Sequence, residues 1–272
     1  MRKSIALFLV LFCVNSLIAQ NQSESRNLTV GKIETIYSNE LKENRTLNIF
    51  LPVNFDSTKV YPVIYVLDGS LNEDVVHIYG LSQFFPLYYD MPECIVVGIQ
   101  NVDRKRDFTF HTDLKELKET YPTTGHSEAF IAFIEKELKP FIQANYSKST
   151  TNFIIGQSLG GLLATEILIK KPYLFSHYLI VSPSLWWDNE SLLKKIESKD
   201  FKQSIPDSTY VYVSVGNKEP KMMLTGAKRL FKVIHPIKNV KSDYKLMTDE
   251  DHATILHNSI YQALLKLYKP LY

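Results

Sequence analysis

Six short runs rich in β-branched and aromatic residues punctuate this chain: VIYVLDG at 63–69, CIVVGI at 94–99, FIIGQS at 153–158, HYLIVSPS at 177–184, TYVYVSVG at 209–216 and DYKLM at 243–247. Several are continuously apolar, which suits strands covered on both faces, as in a parallel sheet lying between helices. Between them the apolar residues switch to helical spacing. Phe130, Phe133, Ile134, Leu138, Phe141 and Ile142 do so within 127–145, and 161–170 and 253–268 follow the same pattern. Two earlier segments, 28–37 and 45–51, flank a polar turn at 38–44 and read as a hairpin. The predicted class is therefore α/β: a three-layer sandwich around a mostly parallel eight-stranded sheet with an antiparallel N-terminal hairpin.

At 272 residues, with 45% hydrophobic and 22% charged side chains, the chain can build a sizeable core. Its first twenty residues run from Arg2 and Lys3 through the apolar stretch Ile5 to Val14 to the small Ala19. This is the layout of an export signal, so residues 1–20 are set apart from the fold, and a periplasmic or secreted location is expected. The stretch is shorter than the ~20 residues a membrane span needs, and Phe12 is too bulky before Cys13 for a lipidation site, so no stable membrane anchor is expected. One domain, 28–272, remains. Without Arg2 and Lys3 the 31 basic residues fall to 29, matching the 29 acidic ones, and a neutral chain gives no reason to expect nucleic acid as a partner. Cys94 is the one cysteine left, which rules out an internal disulfide and suits a buried thiol.

In such a sheet ligands bind beyond the carboxyl ends of the strands, so the residues following each run matter most. There Gly156-Gln157-Ser158-Leu159-Gly160 joins a strand to a helix. Glycines at 156 and 160 would let the two backbones close on the serine, lifting its hydroxyl above the sheet. The helix N-terminus at Leu159 would offer a backbone N–H to an oxyanion. A serine hydroxyl needs a base, and the base needs a carboxylate to orient it. His252, in the loop TDEDHATI after the last strand, is the expected base, in preference to His177, His235 and His257. Glu219, in the loop after 209–216, is the expected acid, its rival reading being a solvated surface glutamate. Asp249 and Asp251 lie too near His252 in sequence to reach under its ring and are expected to tune the loop. A second oxyanion donor is expected from the loop after 63–69, at the backbone N–H of Ser70, with Asp68 bonding that loop's own amides.

With these residues in place, the chain resembles the esterase D-like branch of the α/β-hydrolases, which includes ferric-siderophore (enterobactin-type) esterases, feruloyl and acetylxylan esterases, S-formylglutathione hydrolase and mycolyltransferases. The resemblance runs through YPVIYVLDG at 61, GIQNVDRKRDFTF at 98, FIEKELKPFI at 133, IIGQSLGG at 154, SPSLWWD at 182, VGNKE at 215 and DEDHATI at 250, and is nearest to the siderophore-esterase subgroup. It implies an α/β-hydrolase fold, Ser158, Glu219 and His252 as the triad, and Leu159 and Ser70 as oxyanion donors. Arg104 and Arg106, on a loop at the active-site edge, are read either as paired donors to an anionic substrate group or as an internal Arg-Asp lattice. Trp186 and Trp187 are read as an aromatic wall for a planar acyl or catecholate group, one of them serving the core.

The expected activity is that of a serine esterase with no metal or organic cofactor, acting on a small-molecule or glycan-linked ester. Siderophore-type or other aromatic and acyl esters, feruloyl or acetyl sugars, and acyl transfer by the same triad all fit the residues. A peptidase is disfavoured because no propeller or cap domain precedes the core. A non-catalytic binding module is disfavoured because all three triad members stand in order. Neither the arginines nor the tryptophans decide between the esters.

Overall fold

Two hairpin strands and the six apolar runs become one eight-stranded sheet, ordered β1-β2-β4-β3-β5-β6-β7-β8. The computed structural model describes residues 25, 27–198, 205–238 and 240–272, so the expected export signal at 1–20 lies outside the described residues. The strands are β1 (Gly31–Ser38), β2 (Glu43–Phe50), β3 (Val63–Val66), β4 (Ile95–Ile99), β5 (Asn152–Gln157), β6 (His177–Val181), β7 (Tyr210–Gly216) and β8 (Lys241–Met247). β1 pairs antiparallel with β2, and β2 antiparallel with β4. Every other pairing is parallel, with Ile64 beside Val96 and Phe153, and Ile155 beside Leu179.

Alternate side chains of each central strand leave on opposite faces, and each face has its own core. Val63, Tyr65 and Leu67, with Val97, Ile154 and Val213, pack into one cluster. Ile64, Val66, Val96, Phe153 and Tyr212 pack into the other. The first is covered by α4 (Ser127–Phe133) and α5 (Lys139–Asn145), by α6 (Leu159–Lys170), α7 (Trp187–Glu197) and α8 (Lys221–Ile234). The second is covered by α1 (Val75–Tyr88) and α9 (Ile255–Leu267). Two short helices, α2 (Arg104–Phe108) and α3 (Lys115–Thr120), lie on the connection between β4 and α4. Among the described residues no helix is long and apolar enough to cross a membrane.

The expected helix over 127–145 is one path with a widened middle, because Ile134–Leu138 forms a π-helical turn between α4 and α5. Pro140 supplies the reason: it has no N–H to donate, and its ring would collide with the carbonyl four residues back, so the turn upstream opens. Two runs also end sooner than their apolar character suggests. β3 stops at Val66 and β6 at Val181, because Asp68 (φ 56°) and Ser182 (φ 41°) turn the chain through the left-handed region. Both turns carry the backbone into the loops above the sheet.

A buried ionic knot fixes the loop at the end of β4. Arg45 Nη1 bonds Asp107 Oδ2 at 2.7 Å, with both side chains fully buried, and Glu43 Oε1 at 2.8 Å. Removing one partner of a buried pair leaves an uncompensated charge, at a cost of about 3 to 5 kcal/mol. Because Glu43 stays on Arg45, Asp107→Ala is expected at the low end, a loss of about 3 kcal/mol in chemical denaturation. A change below about 1 kcal/mol would show that Glu43 and the Gln100 carbonyl suffice to hold the guanidinium.

Candidate active site

The connections that follow β3, β4, β5 and β8 converge on one open cleft of about 430 Å³, and Ser158 and His252 both line it. Ser158 stands between β5 and α6 with φ 59° and ψ −118°, a left-handed conformation that a serine holds only when its surroundings impose it. They do so through the backbone: Ser158 N–H donates to Val181 O (3.1 Å), and Ser158 O accepts from Leu162 N (2.9 Å) and Ser184 N (3.0 Å).

The glycine requirement differs from the sequence expectation at one position. A Cβ on Gly156 would lie 2.3 Å from Gly160 O, and one on Gly161 would lie 2.9 Å from Pro183 Cα. A Cβ on Gly160 would meet nothing nearer than 3.5 Å, so the second tight glycine is 161 and not 160. Gly160→Ala is therefore expected to keep the fold and stability within about 1 kcal/mol, whereas Gly156→Ala should cost over about 2 kcal/mol, since backbone must shift. Equal melting temperatures for the two variants would contradict this.

His252 lies in the loop between β8 and α9, and its Nδ1 sits 2.7 Å from Glu219 Oε2. With a carboxylate on Nδ1, that nitrogen carries the proton and Nε2 keeps its lone pair. Gln157 Nε2 donates to the His252 carbonyl, so the residue before the serine also holds the histidine's loop. In this structure the Ser158 hydroxyl lies 3.3 Å from Ser184 Oγ. Glu219 is no solvated surface residue, because its side chain is fully buried. Its Oε1 accepts from the Gly216 amide (2.8 Å) and from the Ser182 hydroxyl. Burial pushes the Glu219 carboxyl up, but the hydrogen bonds from His252, Ser182 and Gly216 outweigh it and hold the group below its ordinary value. Asp251 spends Oδ1 on the Ala253 and Thr254 amides, shaping the loop and not the imidazole.

The donors expected around an oxyanion stand differently from one another. Leu159 is the first residue of α6, where an N–H has no acceptor within the helix. The Ser70 N–H donates at 3.0 Å to Glu73 Oε2, a carboxylate that itself lines the cleft. The Ser70 loop is held from below: Gly69 N–H donates to Ile99 O (3.0 Å), and Asn48 Nδ2 donates to Gly69 O (2.8 Å).

Of the two readings of the arginines, the structure has the internal lattice. Arg104 gives Nε to Asp68 Oδ1 (2.6 Å) and Nη2 to Asp68 Oδ2 (2.9 Å), and Nη2 also reaches Gln157 O (3.3 Å). It straps the Asp68 turn to the end of β5 while still lining the cleft. Arg106 is spent on Glu43 and Asp107 and is not among the cleft residues. Asp68 bonds Arg104 and Asn101 (2.6 Å), where bonds to its own loop amides were expected. The aromatic wall is likewise absent from the cleft lining. Trp187 is fully buried with Nε1 on Phe110 O (3.0 Å), and Trp186 packs half-buried against Trp187 and Tyr121. Gln157, Ser182, Ser184 and Glu73 escaped the sequence reading. For Gln157 and Glu73 a local signal existed, since Gln157 flanks the serine and Glu73 lies three residues beyond Ser70; Ser182 and Ser184 depend on contacts across the fold.

Comparison with known proteins agrees with this architecture. The family model described as "Putative esterase" matches residues 38–261. A ferri-bacillibactin esterase of Bacillus subtilis is 34% identical over 197 residues, covering 65% of this chain and 67% of that protein. Among solved structures, the BES protein from Bacillus cereus superposes with a TM-score of 0.75 at 28% identity, over 89% of this chain and 96% of that one. An IroE-like serine hydrolase from Shewanella oneidensis superposes at 0.74 with 31% identity, over 87% of this chain and 79% of that one.

Proposed function

The chain belongs to the esterase family, and from that premise we propose that it is a serine carboxylic-ester hydrolase working through an acyl-enzyme on Ser158. The observation that carries this reading is the 2.7 Å bond between the buried Glu219 and Nδ1 of His252, a residue that lines the same cleft as Ser158. Ser158 Oγ attacks the ester carbonyl carbon while its proton passes to His252 Nε2. The carbonyl oxygen takes up the electron pair and is met by the Leu159 and Ser70 amides, each donor being worth ~2.7 to 4 kcal/mol in the barrier. The carbon–oxygen bond to the alcohol then breaks, and the alcohol leaves with the proton from His252. Water, giving its proton to the same Nε2, attacks the acyl-enzyme, and the carboxylic acid departs as Oγ regains the proton. Glu219 keeps the ring in register and stabilises the imidazolium in both halves.

For the substrate we propose a siderophore-type ester. That class is supported by the similarity to a ferri-bacillibactin esterase. The expected export signal adds a periplasmic or secreted setting to the proposal. The mechanism is tested by treating the protein with a fluorophosphonate and mapping the adduct by mass spectrometry. A single adduct on Ser158 is expected, and labelling elsewhere with Ser158 unmodified would overturn the assignment.

A further inference from the structure

We propose that Gln157 is a specificity residue whose side-chain carbonyl favours esters carrying an amide N–H close to the scissile bond. This selectivity rests on the serine-esterase reading above. The Gln157 amide is divided between two tasks. Its Nε2 donates to the His252 carbonyl, and because a carbonyl oxygen can only accept, that bond fixes which end of the amide is nitrogen. Its Oε1 accepts no hydrogen bond among the described residues and is not a buried atom, so it is open to a donor, on a residue that lines the cleft.

The residue is held from several sides. Gln157 ends β5 in register with Val181 of β6, and its backbone carbonyl accepts from Arg104 Nη2 at 3.3 Å. With the amide nitrogen tied to the histidine's loop and Ser158 next in the chain, Oε1 keeps a fixed place relative to the attacking oxygen. An acceptor ordered in advance costs little when a donor arrives. Its neutrality decides the kind of donor, since an ammonium group would be drawn to the carboxylates of Glu73 and Asp74 in the same lining. Among neutral donors, an amide N–H has its direction set by a planar group, whereas a hydroxyl can turn to water. Esters of N-acylated amino acids carry such an N–H two bonds from the reacting carbonyl carbon. Esters of N-acylated amino alcohols carry it on the leaving side.

The test uses two pairs of esters in which a methylene replaces the N–H. On the acyl side N-acetylglycine ethyl ester is compared with ethyl levulinate, and on the alcohol side 2-acetamidoethyl acetate with 4-oxopentyl acetate. For each ester kcat/KM is measured by pH-stat titration, and the ratio within a pair is divided by the same ratio for hydrolysis by hydroxide. The wild type should favour the N–H ester about three- to tenfold in at least one pair, the size of one neutral hydrogen bond, and the responding pair tells which half of the ester carries the donor. Gln157→Met and Gln157→Glu both lose the bond to the His252 carbonyl, so both should be slower on every ester. Glutamate keeps an acceptor where methionine has none. The N–H preference should therefore fall to within about twofold of unity in Gln157→Met and persist in Gln157→Glu. No preference in the wild type for either pair, a preference that survives in Gln157→Met, or one lost in both folded variants overturns the proposal while leaving the esterase reading intact. Turnover that survives Ser158→Ala, or no turnover of any ester by the wild type, overturns the esterase reading and the Gln157 assignment with it. Thermal melts of each variant establish that it is folded.

Discussion

Ser158→Ala is expected to lower kcat/KM on p-nitrophenyl acetate by at least about 10⁴-fold and to abolish fluorophosphonate labelling, with the fold unchanged. The size follows from what the substitution removes. Loss of a serine nucleophile in a serine–histidine–carboxylate enzyme costs on the order of 10⁶ in kcat, and the oxyanion donors and binding left behind account for the residual rate over water. Here the residue is held by backbone bonds to Val181, Leu162 and Ser184, none of which involves the hydroxyl. The hydroxyl's own contact is a 3.3 Å approach to Ser184 Oγ, so little folding energy is lost with it. Relief of a left-handed serine is no compensation, because alanine at φ 59° is strained as well. A folded variant that still turns over the ester would remove Ser158 from the chemistry and point to the histidine or a bound water as the attacking group.

Much of the scaffold could be read from the sequence because the signal is local. Continuous apolar runs such as VIYV and IVVGI have few folded outlets other than a sheet covered on both sides. The position of Ser158 follows from a strand, two small residues and a helix written in order. What escaped was set by packing at a distance. α1 has exposed Val76, Phe84, Leu87 and Tyr88 alongside its buried Val75, Ile78 and Phe85, so it shows no clean apolar stripe, and Pro86 sits in its last turn. α8 does carry a local signal: Met223, Gly226, Ala227, Leu230 and Ile234 recur at helical spacing on its buried side. The arginines could not be resolved from their neighbours in the chain, since Arg104 finds its carboxylate 36 residues away at Asp68 and Arg106 finds Glu43 across 63. The same holds for Trp187, whose neighbours along the chain do not show that Phe110 O will take its indole N–H.

Glu219→Gln is expected to reduce kcat/KM by about 10² to 10⁴-fold, nearer the upper figure if the amide nitrogen ends up facing Nδ1. The carboxylate now accepts from His252 Nδ1 and fixes the tautomer that leaves Nε2 basic. An amide group in that place has one acceptor and one donor end. Gly216 N–H and Ser182 Oγ already point at Oε1, so the acceptor end is drawn to them and the donor end to the histidine. A donor against Nδ1 forces the proton onto Nε2, where it blocks the serine. The same bonds predict a pH signature in stability. Burial raises the Glu219 carboxyl, but the bonds from His252, Ser182 and the Gly216 amide lower it further, so its folded value lies below the ordinary 4.5. A depressed carboxylate stabilises the fold fully above its unfolded value, and that contribution is lost as pH falls through the folded value. Wild type should therefore lose more of its melting temperature than Glu219→Gln between pH 5 and the acid side of about 4. Parallel loss in the two proteins would mean that the acid sensitivity lies elsewhere, the next place to look being Glu43, whose carboxyl burial pushes up but the hydrogen bonds from Arg106 and Arg45 hold below its ordinary value.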